Sequence, residues 1–294
     1  MTRSALAVAL LIAQSAFTQT LVREFTYNGN LTPLNIRPSF DNGHLITYTS
    51  QHTITIRPPQ GAPAFTLSAH EPAAGASMSN AAVDTDGVIA TSVLGEKTIG
   101  IAIFRPDGNQ ERIIQTGPYL PSTIRFGTDH TIWTLGEPIP HIKPQPDYAV
   151  LRNYSRDGRL LGAYLPRSTF KTDAMLVPSN HGFVLLHIAA GRVGMMLDFT
   201  QDGRDVQWLE TDVAGKETGR WALPRGYWVH GVTTDGTVYA TGNPGSPLVA
   251  LHRETREWKT LSIPAEGKLI GVDGEHLVFL EHPSGLAQWF TPPK

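Results

Sequence analysis

The sequence predicts an all-β protein: a six-bladed β-propeller closed by an N-terminal strand that pairs into the last blade. Three observations carry that expectation. A turn recurs along the chain, at Asp41–Gly43, Asp84–Gly87, Gly127–His130, Ser179–Gly182, Thr233–Gly236 and Val272–Gly274. A strand-like run follows each one: His44–Tyr48, Val88–Ser92, Thr131–Leu135, Phe183–Ile188, Thr237–Thr241 and His276–Glu281. The last residues of these turns, 43, 87, 130, 182, 236 and 274, step by 44, 43, 52, 54 and 38. A period of about 40–50 residues made of short strands is that of a propeller or a similar array.

Taken in order, residues 1–19 read as an export signal. Met1-Thr2-Arg3 gives a short basic start, Ser4–Ala13 is an uninterrupted small and apolar run, and Gln14–Gln19 supplies a polar exit with small residues. The apolar run is too short for an ordinary membrane-spanning helix. Cleavage is expected between about residues 15 and 20, leaving 20–294 as one propeller domain in the periplasm or outside the cell. The mature chain then opens on a strand, Leu21–Tyr27, that belongs to no repeat.

A second series of turns lies between members of the first: Pro58–Gly61, Arg105–Gly108, Ser155–Gly158, Thr200–Gly203 and Arg253–Arg256. Asp-Gly and Asn-Gly suit tight hairpins because these turns need backbone at positive φ. Two hairpins give four strands, the content of one blade. Blade two shows the plan, with Ser79–Val83 innermost, then Val88–Val93, Thr98–Phe104 and Gln110–Gln115. Along its third strand Ile99, Ile101 and Ile103 alternate with Gly100, Ala102 and Phe104, so both faces are apolar, as a strand between neighbouring blades requires. The last repeat ends after a third strand, Gly285–Phe290, and Leu21–Tyr27 supplies its fourth. Two repeats are longer than the rest: blade three carries a proline-rich insertion, Gly136–Asp147, and blade four carries extra sequence around Trp208–Gly219.

Composition bounds the function. An apolar share of 40% is enough for a core, and the 28 glycines and 22 prolines suit many turns. The net charge of −2, with no Lys/Arg-rich run, argues against a nucleic-acid partner. The absence of cysteine rules out disulfides, thiolate metal sites and a cysteine nucleophile. Over about residues 30–290 the pattern of Asp-Gly turns and Val/Ile/Trp-rich strands resembles the six-bladed propellers of the NHL and gluconolactonase-like (SMP-30-type) families. The resemblance implies the fold. It does not extend to the metal-binding Glu/Asn/Asp set of the gluconolactonase-like enzymes, which has no residue-by-residue match here.

Counting back from each turn places Arg37, Arg125, His230 and Lys268 on innermost strands facing the central tunnel, with Glu137, His187, Glu281 and His282 on its rim. Cations converging in a low-dielectric funnel attract an anion, and guanidinium groups hold carboxylate or phosphate bidentately. Trp228, in the Tyr227-Trp228 pair, could stack on a sugar or peptide. The expected function is therefore a binding or interaction module for a small anionic or sugar-acid ligand, or for a protein. No cofactor and no metal site is expected, and the chain is expected to be a monomer. The alternative is a lactonase-like hydrolase or lyase in which His187, Glu281, His282 and Glu137 form an acid–base or divalent-metal site. A structural alternative pairs the same cations with Asp173 and Glu281 around a water-filled hole. The turns themselves are expected on the rim opposite the working face.

Overall fold

Positive-φ residues turn the inner hairpins, from Gly43 (φ 81°) and Gly87 (84°) to Gly236 (88°) and Gly274 (61°). In blade three the corresponding position is His130, at φ 64°. The computed structural model describes residues 20–27, 37–48, 53–70, 73–139, 147–170, 186–200, 204–242, 246–262, 267–281 and 283–292. A first strand, β1 (Thr20–Thr26), precedes the repeats. Blade one follows as β2 (Arg37–Asp41), β3 (His44–Tyr48), β4 (Ile54–Arg57) and β5 (Phe65–Thr66). Blade two is β6 (Ser77–Val83), β7 (Ile89–Leu94), β8 (Ile99–Phe104) and β9 (Gln110–Gln115). Blade three is β10 (Tyr119–Phe126), β11 (Ile132–Pro138), β12 (Ala149–Tyr154) and β13 (Leu160–Pro166). Blade four is β14 (Leu186–Ala189), β15 (Arg192–Asp198), β16 (Val206–Asp212) and β17 (Glu217–Ala222). Blade five is β18 (Trp228–Val232), β19 (Val238–Thr241), β20 (Leu248–His252) and β21 (Glu257–Leu261). Blade six is β22 (Lys268–Asp273), β23 (His276–Leu280) and β24 (Leu286–Thr291).

The six sheets each have four antiparallel strands, and the last is ordered β22-β23-β24-β1, so the N-terminal strand closes the ring. Thr20 pairs with Thr291 and Thr26 with Leu286. Arg23 lies over the Trp289 ring at 4.6 Å, and Gln288 donates to Glu24. Closure removes the seam that an open array would expose.

The core lies between blades. Ile101 and Ile103 of β8 pack with Ile124 and Ile132 of blade three, while Ala102 and Phe104 of the same strand pack with Ile46 and Ile56 of blade one. This is the two-sided burial that the alternation of β8 predicts. Blades three, four and five share a cluster around Trp133, Met195, Trp208 and Val229.

Blade four corrects the sequence reading. Its inner turn is Ala190-Gly191, at φ 49° and 70°, and not Ser179–Gly182, which lies outside the described residues. His187 therefore sits on the innermost strand, paired with Gly194, and not at the end of a second strand. Trp208–Gly219, expected as extra sequence, is the ordinary outer hairpin of the blade: most of β16, the turn Val213–Lys216 and the start of β17. The link from β15 to β16 joins second to third strand, so the expected outer turn at Thr200–Gly203, of which 201–203 lie outside the described residues, does not join third to fourth. The surplus residues of this repeat precede β14. The expected signal segment, the blade-three insertion from 140 to 146, Asp173 and His282 also fall outside the described residues.

Candidate ligand-binding funnel

Strand β6 organises one wall of the tunnel. A bulge between Ser79 and Ala81 leaves Asn80 at φ 48°, a conformation Asn tolerates better than most side chains. Its Oδ1 accepts the Ile124 N–H of blade three at 3.0 Å. From blade one, the Tyr48 hydroxyl accepts the Ala81 N–H at 2.9 Å and donates to the Ala81 carbonyl at 3.3 Å. Asp41 Oδ2 accepts the Val83 N–H at 2.9 Å, and Asn42 Nδ2 donates to the Val83 carbonyl at 2.6 Å. An innermost strand has one edge without a sheet partner, and its buried backbone groups must be satisfied another way. Here side chains of both neighbouring blades do it.

Beside this wall lies a cavity of about 400 Å³ bounded by all six blades, with Asp41, Arg125, His187, His230 and Asp273 among its lining residues. It is walled by the ends of the innermost strands and their turns. The cavity therefore reaches the turn rim, which the sequence reading had set opposite the working face. Arg125 is only 6% exposed. Its Nη1 donates to the carbonyls of Ala81 at 3.3 Å and Ile124 at 2.9 Å, and among the described residues its other guanidinium nitrogens have no acceptor.

Burial sets the charge of the remaining groups. It pushes His187 down to about 3, with the Arg125 cation as a second cause, and His230 down to about 3, with Lys268 as the second. Both imidazoles are neutral at physiological pH. Burial also raises the Asp41 carboxyl above the usual carboxylate range, against the opposing pull of Arg125. Among its described lining residues the cavity thus presents one fixed cation, a carboxyl group that holds its proton unusually well and two uncharged imidazoles, groups that exchange hydrogen bonds with hydroxyls.

A second charged group stands at the same rim. Asp84, Asp86 and His130 bring one ligand atom each within 4.8 Å of one another. The Arg156 guanidinium already bridges them: it bonds Asp86 through Nη1 at 2.7 Å, Asp84 through Nη2, and approaches His130 Nδ1 at 3.3 Å. A cation supplied by the chain fills the role a metal would take. Blades four and five repeat the device, with Arg253 Nη2 on buried Glu210 at 2.6 Å and Trp208 Nε1–H on the same carboxylate at 2.9 Å. In both cases an Arg from an outer hairpin turn reaches an acid of the preceding blade. These are latches between blades.

Of the residues singled out from the sequence, Arg125, His187 and His230 line the cavity. Arg37 is placed as the first residue of β2, with only its backbone described. Lys268 opens β22 and is exposed, and Trp228 opens β18, half-buried against the blade-four core. Neither lines the cavity. Glu137 lies near the end of β11, and Glu281, just after β23, accepts the Ser284 hydroxyl at 3.0 Å. Both are on the second-strand rim, away from the cavity lining. Asp41 carries no functional signal in the sequence, because its Asp-Asn-Gly context reads as hairpin chemistry.

The fold and funnel define a six-bladed β-propeller. No family model and no curated protein matches the chain. Among solved structures it is similar to a protein of unknown function from Bacteroides caccae, at TM-score 0.54 and 13% identity, over 81% of this chain and 82% of that one. The PQQ-bound aldose sugar dehydrogenase of Streptomyces coelicolor aligns at TM-score 0.49 and 12% identity, over 91% and 97% of the two chains. A chain of a nidogen/laminin complex aligns at TM-score 0.49 and 16% identity, over 81% and 85%. At these identities the likeness is one of fold.

Proposed function

We propose that the protein is an exported binding module whose central funnel takes a small anionic ligand, a sugar acid or a similar hydroxylated carboxylate. One observation carries the reading: Arg125 is buried in a cavity of about 400 Å³ with guanidinium donors that no described residue accepts. Cavities from about 300 Å³ upward accommodate small ligands. A guanidinium with unpaired donors in a low-dielectric site favours a planar anion, and neutral His187 and His230 suit hydroxyl groups. Binding at Arg125 calls on no metal or cofactor. Export rests on the basic start and apolar run of residues 1–13. The scatter of polar groups over several blades favours binding over the lactonase-like alternative, whose carboxylates Glu137 and Glu281 stand off the cavity.

The test is thermal unfolding of the mature chain with increasing sodium galacturonate, in the wild type and in Arg125→Gln. The expected result is a midpoint that rises with ligand in the wild type and stays flat in the variant. An equal rise in both would remove Arg125, and with it the reading.

A further inference from the structure

The placement of Asp41 says how such an anion enters. Asp41 and Arg125 hold the backbone of the same strand, at Val83 N–H and the Ala81 carbonyl. These points lie two residues apart on β6, within about 7 Å along the strand. The carboxyl and the guanidinium therefore stand in one corner of the cavity, each fixed by the backbone. The other acids of the lining are engaged: Asp84 with Arg156, and Asp273 with the Trp289 Nε1–H at 2.9 Å. Among the described residues Arg125 is the one Lys or Arg of the lining, and Asp41 is the carboxyl left to balance it.

A ligand carboxylate arriving at Arg125 would bring a second carboxylate beside one guanidinium in a low-dielectric corner. Two carboxylates sharing a site cannot both stay ionised cheaply, and the pair takes up a proton. Building on the funnel's reading as an anion site, we infer that Asp41 and the ligand carboxylate share Arg125, and that each anion binds together with one proton from solvent. The site is then selective for monocarboxylates, since a second negative group would need a second proton or a second cation. The other groups around Asp41 do not remove this need. His44 lies beside it on β3, the Tyr48 hydroxyl engages Ala81, and Asp84 adds negative charge from the turn after β6. Across the cavity His187 and His230 are neutral and Asp273 is an acid. Burial already tilts Asp41 toward its protonated form before any ligand arrives.

Calorimetric titration of the mature chain with sodium galacturonate tests the coupling. It is run between pH 5 and 8, and near neutral pH in both Bis-Tris and Tris, cationic buffers whose ionisation enthalpies differ. The expected result is an affinity that rises about tenfold for each unit the pH falls while Asp41 is ionised in the free protein. About one proton per ligand should be taken up, as read from the difference between buffers. In Asp41→Asn, which keeps an oxygen for the Val83 N–H, affinity should lose its pH dependence and proton uptake should vanish. Binding that needs Arg125 yet is independent of pH in the wild type would overturn the coupling and leave the anion site standing. Uptake that persists in Asp41→Asn would do the same. No binding at any pH would overturn the anion site and the coupling together.

Discussion

Asp41 and Arg125 hold the same edge of one strand: the first accepts the Val83 N–H at 2.9 Å, the second donates to the Ala81 carbonyl at 3.3 Å. They come from blades one and three, and the strand between them belongs to blade two. The charges that define the funnel are thus set by the same hydrogen bonds that satisfy a free strand edge. That economy has a consequence. The site's geometry is fixed before a ligand arrives, so binding need not spend energy ordering it. Anything that shifts blade one against blade three should act on the ligand.

Latches between blades should cost the most where the acid has fewest other partners. Glu210 is 3% exposed and, among the described residues, keeps only the Trp208 Nε1–H once Arg253 is gone. Arg253→Ala is expected to lower stability by about 3 kcal/mol, because it strands a buried carboxylate. Adding Glu210→Gln should restore part of the loss by removing the charge. Arg156→Ala should cost less, since Asp84 keeps the Thr85 N–H at 2.6 Å and His130 Nδ1 at 3.1 Å. Urea unfolding of the three variants checks the order. Equal losses for Arg253→Ala and Arg156→Ala would refute the argument.

Acid should undo the funnel through its histidines. Burial depresses both His187 and His230 to about 3 from an ordinary 6.5, so the unfolded chain binds protons that the folded chain refuses. Their contribution to stability is full above pH 6.5 and is lost as pH falls from there toward 3. Each group should remove about 1.4 kcal/mol per pH unit within that window. Asp41 works the other way: its folded value is raised, so its contribution is present at low pH and is lost as pH rises through that value. Urea midpoints from pH 7.5 down to 4 should therefore fall steeply, and His187→Gln with His230→Gln should flatten the slope. A slope unchanged in the double variant would show that other groups drive the acid loss.

How much of this was legible depends on where the chain spends its turn residues. The ring, its six blades and the closing strand could be counted because five inner turns carry Asp or Asn close to a residue at positive φ, as at Asp41–Gly43 and Thr233–Gly236. Blade four hid its turn, since Ala190 at φ 49° bears a side chain that seldom adopts that backbone and so reads as strand. Ser179–Gly182 reads as the better turn, and that places His187 on the second strand and not on the innermost, where it lies. Arg125 could be found by counting because an Arg on an inner strand breaks an apolar run. Asp41 could not, because a carboxylate in a hairpin turn has a sufficient local reason to be there. The latches were equally silent: Arg156 and Arg253 sit in ordinary turns, and only the ring brings them to acids some 70 and 43 residues earlier.

The closing seam should report on the funnel. Blade six meets blade one where Gly271 of β22 lies against Phe40 of β2, and a Cβ at Gly271 would come within 2.8 Å of the Phe40 carbonyl oxygen and 2.9 Å of its Cβ. That contact includes backbone, so a methyl group cannot be absorbed by turning a side chain. Phe40 also packs on Trp289 of blade six, edge to face at 5.7 Å. Gly271→Ala is therefore expected to cost about 1–3 kcal/mol, the range for overpacking a tight core. Because Phe40 immediately precedes Asp41, the displaced strand should move the carboxyl against Arg125. Galacturonate affinity should fall in Gly271→Ala, although the residue lies outside the cavity lining. Gly100→Ala is the control within the same ring. Its Cβ would run into the Ile114 carbonyl oxygen, between β8 and β9 of blade two and off the cavity lining. It should destabilise the protein with less effect on binding, because the strain falls away from β2. If Gly100→Ala weakens galacturonate as much as Gly271→Ala at matched loss of stability, the seam acts through general loosening and not through Asp41.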